Sequence, residues 1–280
     1  MKKILLPTDF SKNSYNAAEY ALRLFKDEPC LFYLMHTYTP PVYHTEYVMS
    51  DTLQMGLGDF FHENTMEQLS NLQNKLEGNF KNPMHQFKLH GTQNLLVDEV
   101  REMVGEKEID LIVMGTQGAT GAKELLFGSN TVHVLKKATC PVIAVPDGFE
   151  YENPKEILFP TDYEIVYREK GLKEFLHLAY EHVSRIEVLH IARGHELTQF
   201  QKENKSRLEK LLRPIAHVFH EIDNNEIIAG INEFQLKNKV NLLVMVMNKH
   251  TFLEQLFIKP VIKKISLHLN IPFMVIPYFK

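Results

Sequence analysis

The sequence has only two cysteines, no strong excess of either charge and no long apolar run, and each absence removes a class of protein. Cys30 and Cys140 cannot build a disulfide framework, which indicates a reducing compartment. The formal net charge of -4 argues against a general nucleic-acid-binding surface, because such a surface must neutralise phosphates. No apolar run approaches the roughly 18 residues of a membrane span, and the amino terminus lacks a signal-peptide pattern. We therefore expect a cytoplasmic, soluble protein that binds neither nucleic acid nor membrane.

What the chain does contain is a core-forming composition and an internal repeat. Its 280 residues, of which 44% are hydrophobic, suffice for one large domain or two ordinary ones. KKILLPTDF at 2–10 matches KEILFPTDY at 155–163 in six of nine positions, and residues 111–146 align without gaps on 242–277. We predict a duplication with domains over 1–147 and 155–280, joined by a polar, turn-rich linker at 148–154.

The two predicted domains differ in length, because the offset between matching segments falls from 153 to 131 residues along the chain. The first domain therefore carries about 22 additional residues, which we place within 38–60. This segment contains prolines, glycines and tyrosines without a clean periodicity. Two interpretations stay open for it: a lid over a ligand or a contact with a partner, and a surface excursion without a binding role.

Short apolar strands alternate with amphipathic helices in both parts of the chain. Predicted helices include 14–25, 63–80 and 261–269. Strands such as 109–114 are apolar throughout, which indicates a parallel sheet covered on both faces. The fold class is therefore α/β, and ligands are expected at the carboxyl ends of the strands.

The most informative segment follows the strand at 109–114 and contains several glycines. Gly115 and Gly118 allow sharp turns and a close approach of the main chain to a ligand, and successive N–H groups in such a loop can bind an anion. Ser129, after Gly128, is predicted as the N-cap of the next helix, whose first N–H groups favour phosphate. These features indicate the phosphate chain of a nucleotide. The alternative is that the glycines form only turns and Ser129 only a cap.

Several familiar site motifs are absent. The sequence has no G-x-x-x-x-G-K-[ST] P-loop and no G-x-G-x-x-G after the first strand. The 14 histidines show no H-x-x-x-H spacing, and there is no C-x-x-C pair, so a zinc-type metal site is not predicted. His36 and His190 occupy equivalent strand ends, and we predict that both are structural histidines.

The spacing Gly115-x2-Gly118-x9-Gly128-Ser129 resembles the G-x2-G-x9-G-(S/T) signature of ATP-binding members of the universal stress protein (UspA-like) family. PTDFS at 7–11 and CPVIAVP at 140–146 fit the same family. The resemblance covers 1–146 and, in weaker form, 155–278. It implies two tandem five-stranded parallel-sheet α/β sandwich domains, Rossmann-like and related to adenine nucleotide alpha hydrolases. It also implies an intramolecular pseudo-dimer through strands 142–145 and 273–276, and leaves a further homodimer open.

Carried over position by position, the resemblance implies a site for ATP or another adenine nucleotide, with Mg2+ or Mn2+ at the phosphates. The end of the first strand and the residue after His36 would contact the adenosine, and the glycine loop with the following cap would hold ribose and phosphates. The implied residues are Pro7, Thr8, Asp9, Thr37, Met114, Gly115, Gln117, Gly118, Gly128, Ser129, Asn130 and Thr131. We assign no catalytic residue and no protein ligand to the metal.

The second domain departs from this signature at its key positions. Gly115, Gly118, Gly128 and Ser129 correspond to Val246, Lys249, Lys259 and Pro260. Side chains disfavour the turns that glycine allows, and proline removes a backbone donor. We expect that this domain does not bind ATP in the family's manner, and that its loop at 247–260 is solvated or binds a different anion.

The leading hypothesis is a stress-response regulator that binds ATP in its first domain and thereby changes its protein partners or oligomeric state. The sequence offers no positioned general base beside the phosphates, because the resemblance places Asp9 at the adenosine, so fast hydrolysis is not expected. Two alternatives stay open: a slow ATP hydrolase on the same site, and an interaction protein whose site holds no nucleotide.

Overall fold

A computed structural model describes residues 1–39, 51–117, 127–192, 196–224, 226–248 and 270–278, and in 51–57 only the backbone. Several features of the sequence lie outside these residues. They are Gly118, residues 40–50 of the additional segment at 38–60, the predicted helix at 261–269, and Lys249, Lys259 and Pro260.

Strands and helices alternate along the first half of the chain, as the sequence predicts. The elements are β1 (Lys2–Pro7), α1 (Lys12–Leu24), β2 (Cys30–Thr37), α2 (Asp51–Asn79), β3 (His85–Thr92), α3 (Leu96–Lys107), β4 (Leu111–Gly115), α4 (Ser129–Lys137) and β5 (Val142–Val145). The second half repeats the alternation with β6 (Glu156–Pro160), α5 (Glu169–Glu181), β7 (Arg185–Ala192), α6 (Gln199–Leu212), β8 (Ala216–Asp223), α7 (Ile227–Lys237), β9 (Leu242–Met247) and β10 (Phe273–Pro277). Within the described residues, no helix is both long and apolar enough to span a bilayer.

All ten strands form one sheet in the order β3-β2-β1-β4-β5-β10-β9-β6-β7-β8. Neighbouring strands run parallel within each half. The exception is the seam between the halves, where β5 and β10 pair antiparallel with Met274 opposite Ile143. The predicted α/β fold with an intramolecular pairing of the two last strands is therefore confirmed.

The core has one layer on each face of the sheet, which explains why the strands are apolar on both sides. One layer packs the sheet against α1, α2, α5 and α6, with Phe32 and Phe175 among its fully buried residues. The other packs the opposite face against α3, α4 and α7, with Ile112 and Leu243 at its centre. The helices cover the two faces of the sheet, and the loops that follow the carboxyl ends of the parallel strands can form sites.

Helix α2 begins at Asp51, well before the start at residue 63 that the periodicity predicts. Gly56 and Gly58 weaken the sequence pattern there, because glycine lowers helix stability by about 1 kcal/mol relative to alanine. An already nucleated helix gains one hydrogen bond per added residue, so two glycines do not end it. The carboxyl-terminal part of the segment 38–60 is therefore helical rather than irregular.

The residues between β5 and β6 pack on α1 instead of standing away from it. The rings of Phe149 and Tyr151 lie 5.9 and 5.5 Å from the ring of Tyr20, and Asn16 Nδ2 donates to the carbonyl of Phe149 (3.1 Å). Gly148 makes the turn with a φ of 68°. The domain limits 1–147 and 155–280, with the linker 148–154, stay a prediction.

Tyr20 offers a test of this packing. Its side chain is buried, and its hydroxyl has no hydrogen-bond partner among the described residues. An unsatisfied buried hydroxyl costs about 1–3 kcal/mol. We therefore expect Tyr20→Phe to raise the free energy of unfolding in urea by about 1 kcal/mol, and Tyr180→Phe, at an exposed position, to leave it unchanged. A less stable Tyr20→Phe protein would contradict this packing.

Candidate functional site

The ends of β1 and β4 meet at one edge of the sheet, because these strands pair in parallel with Ile4 beside Leu111. Two of the segments singled out in the sequence leave the sheet here. They are the turn after Pro7 and the loop that begins at Gly115. The topology therefore brings together the two segments that were predicted to form the nucleotide site.

The turn after β1 is held by hydrogen bonds of Thr8. Its Oγ1 accepts from the N–H of Phe10 (3.0 Å) and pairs with the hydroxyl of Ser14 (3.0 Å), while its carbonyl accepts from Nδ1 of His36 (2.7 Å). Phe10 has a φ of 61°, a left-handed conformation that a bulky residue adopts only when its surroundings enforce it. Both Thr8 and His36 thus shape the turn, and the structural role predicted for His36 is confirmed.

Asp9 follows at the exposed tip of the turn. Its Oδ1 accepts from the N–H of Ser11 (3.1 Å), and Ser11 in turn caps α1 by accepting from the N–H of Ser14 (3.2 Å). Pro7 is buried at the end of β1, and Thr37 is half-buried at the end of β2. The carboxylate of Asp9 and the ends of β1 and β2 therefore lie along this edge.

Gly115 ends β4 against a side chain whose role the sequence did not reveal. A Cβ on Gly115 would lie 2.0 Å from Oδ1 of Asn13 and 2.7 Å from its Cγ, so this position accepts no side chain. Asn13 is buried on α1, where its Oδ1 accepts from the N–H of Gln117 (3.0 Å) and its Nδ2 donates to the carbonyl of Val145 (3.4 Å). One asparagine thus ties the start of the glycine loop to the end of β5.

The two ends of the glycine loop are joined at a neck. The N–H of Gly128 donates to the carbonyl of Thr116 (2.7 Å), and the hydroxyl of Thr131 donates to the carbonyl of Gly115 (3.0 Å). The N–H of Thr116 itself donates to the carbonyl of Val145 (3.0 Å). The loop from 117 to 127 therefore leaves and rejoins the fold at one place, although its middle, including Gly118, lies outside the described residues.

Ser129 was predicted as the N-cap of α4, and this prediction is wrong. Gly128 is the N-cap, with extended φ and ψ of -64° and 157°, and Ser129 is the first helical residue. Glycine at the cap has no side chain to accept from the N–H groups of the first turn, which an α-helix leaves without internal partners. The start of α4 is thereby kept available for an external acceptor such as phosphate.

The remaining predicted residues divide into buried and exposed ones. Ser129 and Asn130 lie at the solvent-accessible start of α4, whereas Thr131 is buried and its hydroxyl is used at the neck. The side chain of Met114 is buried in the core against α3 and α4, so only its main chain faces the edge. Gln117 contributes its N–H to Asn13.

The second half repeats the first turn but not the glycine loop. Thr161 Oγ1 accepts from the N–H of Tyr163 (3.0 Å), and the carbonyl of Thr161 accepts from Nδ1 of His190 (3.0 Å), as the prediction for His190 requires. Asp162 accepts from the N–H of Glu164 (3.1 Å), as Asp9 does from Ser11. The PTD segment therefore encodes a turn that both halves need, whether or not a ligand binds.

In the second half, side chains fill the gap beside this turn, between the ends of β6 and β9. Val166 and Val246 correspond in sequence to Asn13 and Gly115, and the buried Tyr167 pairs with the hydroxyl of Thr161. The gap between the ends of β6 and β9 measures only about 10 Å3, which is room for about one water molecule. Between the ends of β6 and β9, the described residues therefore leave too little room for a nucleotide.

The thiols and histidines give no second reactive centre in the described part of the chain. Cys30 and Cys140 are buried and unpaired, and burial raises the pKa of each thiol to about 12. His217 and His220 lie on β8 and make separate bonds, to the carbonyl of Ile215 and to Glu187. Among the described residues, no group of three or more His, Cys, Asp or Glu side chains could hold a metal ion.

Comparison with known proteins follows the same division of the chain. A model of the universal stress protein family matches residues 1–146. The curated universal stress proteins MJ0577 and MJ0531 of Methanocaldococcus jannaschii are each 31% identical to this chain over 158 and 144 residues. These alignments cover 51% of this chain, and 94% and 81% of the two relatives.

One solved structure extends the likeness to both halves. A universal stress protein from Archaeoglobus fulgidus superposes with a TM-score of 0.67 at 15% sequence identity, covering 98% of this chain and 96% of that one. At this identity the match shows a shared fold. The fold of both halves together therefore has a counterpart among solved structures.

Proposed function

This chain belongs to the universal stress protein family, and on that basis we propose that its first half is a stress-response module that binds an adenine nucleotide, ATP in particular. The second half serves as a structural or regulatory partner. The two free, buried cysteines fit action in the cytoplasm. The proposal assigns the nucleotide to the edge formed by β1, β4 and the start of α4.

The observation that carries this proposal is the fixed neck of the glycine loop. The bonds of Asn13, Gly128 and Thr131 hold both ends of the loop at the carboxyl end of β4. Because both ends of the loop are fixed, less chain entropy has to be lost when backbone N–H groups between them bind phosphate. The start of α4, whose N-cap Gly128 supplies no side-chain acceptor, adds further donors beside it.

The adenosine would extend from this neck toward the end of β1. The exposed carboxylate of Asp9 can accept from a ribose hydroxyl or the exocyclic amine, and the main chain of Thr37 can read the adenine edge. Asp9 accepts from Ser11 N–H and stands at the nucleoside end, which leaves it badly placed to activate water at the γ-phosphate. We therefore propose binding with slow turnover or none.

A divalent ion would be held mainly by the phosphates. The described residues form no cluster of metal-ligating side chains, and Mg2+ commonly keeps its waters and binds through substrate phosphates. Charge neutralisation by the ion would allow a triphosphate to lie near a chain whose net charge is -4. Nucleotide occupancy then selects protein partners or oligomeric state.

Thermal unfolding of the full chain tests this proposal. At a hundred times the dissociation constant, a ligand stabilises the native state by about 2.7 kcal/mol, which corresponds to roughly 5 °C for a chain of this size. We expect this shift with ATP and Mg2+ or Mn2+, a smaller shift with ATP and a chelator, and none with the metal alone. GTP serves as the control for base recognition. No shift with millimolar ATP and metal would contradict the proposal.

A further inference from the structure

A cavity of about 540 Å3 lies in the second half, where the fold departs from the first. In the first half, α1 begins at Lys12, and Asn13 fills the space over the ends of β4 and β5. The residue that corresponds to Lys12 is Ile165, yet α5 begins only at Glu169. The first helical turn is therefore missing over the ends of β9 and β10, and the cavity occupies its place.

The interior of this cavity is apolar. Its walls include Ile165, Val166, Tyr167, Leu172, Val246 and Ile276. Val166 and Val246 correspond to Asn13 and Gly115 of the first half. The side chain that anchors the glycine loop is therefore replaced by an apolar one. Tyr278 and Thr139 add hydroxyl groups, and Thr139 comes from the first half across the seam. Both halves therefore contribute residues to the lining.

Two cations stand at the edge of the same space. Arg168 and Lys170 line the cavity and are exposed, and neither forms an ion pair among the described residues. Glu169, which lies between them in the sequence, is not part of the lining, and none of the described residues that line the cavity is acidic. An apolar interior with a cationic edge complements a ligand that has an apolar body and one negative end.

We propose that this cavity binds a small amphipathic acid, namely an acyl chain that ends in a carboxylate. The chain would lie among the apolar walls, and the carboxylate would bind Arg168, whose guanidinium fits it in a bidentate manner, with Lys170 as a second cation. The volume falls within the roughly 300–1,000 Å3 of small-molecule sites. This site is separate from the nucleotide site of the first half and does not depend on it.

Isothermal titration of the full chain with decanoate, below its micelle concentration, tests the proposal. We expect one saturable site per chain. Octanoate, which is two methylenes shorter, should bind about fifteenfold more weakly, because each buried methylene changes affinity roughly fourfold, equivalent to about 0.8 kcal/mol. Decylamine has the same chain with the opposite charge and should bind at least tenfold more weakly than decanoate. Equal binding of decylamine, or the absence of saturable decanoate binding, would overturn the proposal.

A pair of charge-inverted variants separates this site from general surface binding. Arg168→Glu/Lys170→Glu should weaken decanoate binding at least tenfold. The control Lys210→Glu/Arg213→Glu, at the end of α6, changes the net charge equally at exposed residues outside the cavity lining and should bind as the parent does. Circular dichroism confirms that both variants are folded. Parent-like affinity in the first variant, or an equal loss in both, would assign the binding to another place.

Discussion

Gly115→Ala is expected to weaken ATP binding at least a hundredfold. The added Cβ would stand 2.0 Å from Oδ1 of Asn13, which is far inside contact distance. Asn13 cannot yield at low cost, because it is buried and bonds both Gln117 and Val145. Relief of the clash must therefore displace the start of the glycine loop. Titration calorimetry with ATP and Mg2+ gives the change in affinity directly.

A second glycine provides the matched control. Gly105 lies within α3, and an added methyl group there would meet nothing within 4 Å, so Gly105→Ala should leave ATP affinity unchanged and stabilise the helix by about 0.5–1 kcal/mol. The double variant Asn13→Ala/Gly115→Ala removes the clash together with the anchor. It should recover stability relative to Gly115→Ala and still bind ATP weakly. Parent-like binding by Gly115→Ala would contradict the role given to the neck.

Met274→Asp is expected to give the largest loss of stability. Met274 is fully buried in β10, opposite Ile143 of β5 and beside Val244 of β9, so it lies at the seam that joins the halves. A carboxylate there would have no partner, and we expect the free energy of unfolding at neutral pH to fall by about 4 kcal/mol or more. Urea unfolding followed by circular dichroism measures this loss.

The pH dependence of this loss has a definite sign. Burial raises the folded-state pKa of an introduced carboxyl above its unfolded value, so the folded state binds more protons and the destabilisation is greatest at neutral pH and shrinks toward pH 4. Met274→Leu keeps the volume without the charge and should cost less than about 1.5 kcal/mol. A Met274→Asp protein as stable as the Met274→Leu protein would show that β10 does not hold the seam.

The sequence predicted those parts of the fold that follow from apolar periodicity and from local backbone preferences. The apolar strands and the repeat of PTD indicated a repeated α/β arrangement, and the strands form one sheet with the last strands paired as expected. The glycine spacing likewise located the loop after β4. These features follow from periodicity and from residues whose backbone preferences are strong.

Features that depend on contacts distant in the sequence were not predictable in this way. Asn13 bonds Gln117 across 104 residues, and the only local signal was a polar side chain on the buried face of α1. Ser129 has a typical capping sequence, but the bond between Gly128 and Thr116 places the cap one residue earlier. The early start of helix α2 has a different and local cause, because helix extension outweighs the preference of two glycines.

Comparison of the two halves distinguishes the turn that the PTD segment forms from the residues that we propose for nucleotide binding. Both halves keep the same turn, with a threonine that accepts from the residue two positions later. Only the first half combines that turn with Asn13 and a glycine at the end of the neighbouring strand. The second half places Val166 and Val246 there and leaves an apolar cavity beside them. The two halves thus share a fold, while their edges differ in chemistry.

The stoichiometry of ATP binding to the full chain tests this account most directly. Titration calorimetry with ATP and Mg2+ is expected to give one site per chain, which Gly115→Ala removes and Val246→Ala leaves intact. Two equivalent sites per chain, or a single site that survives Gly115→Ala, would contradict the assignment of the nucleotide to the first half.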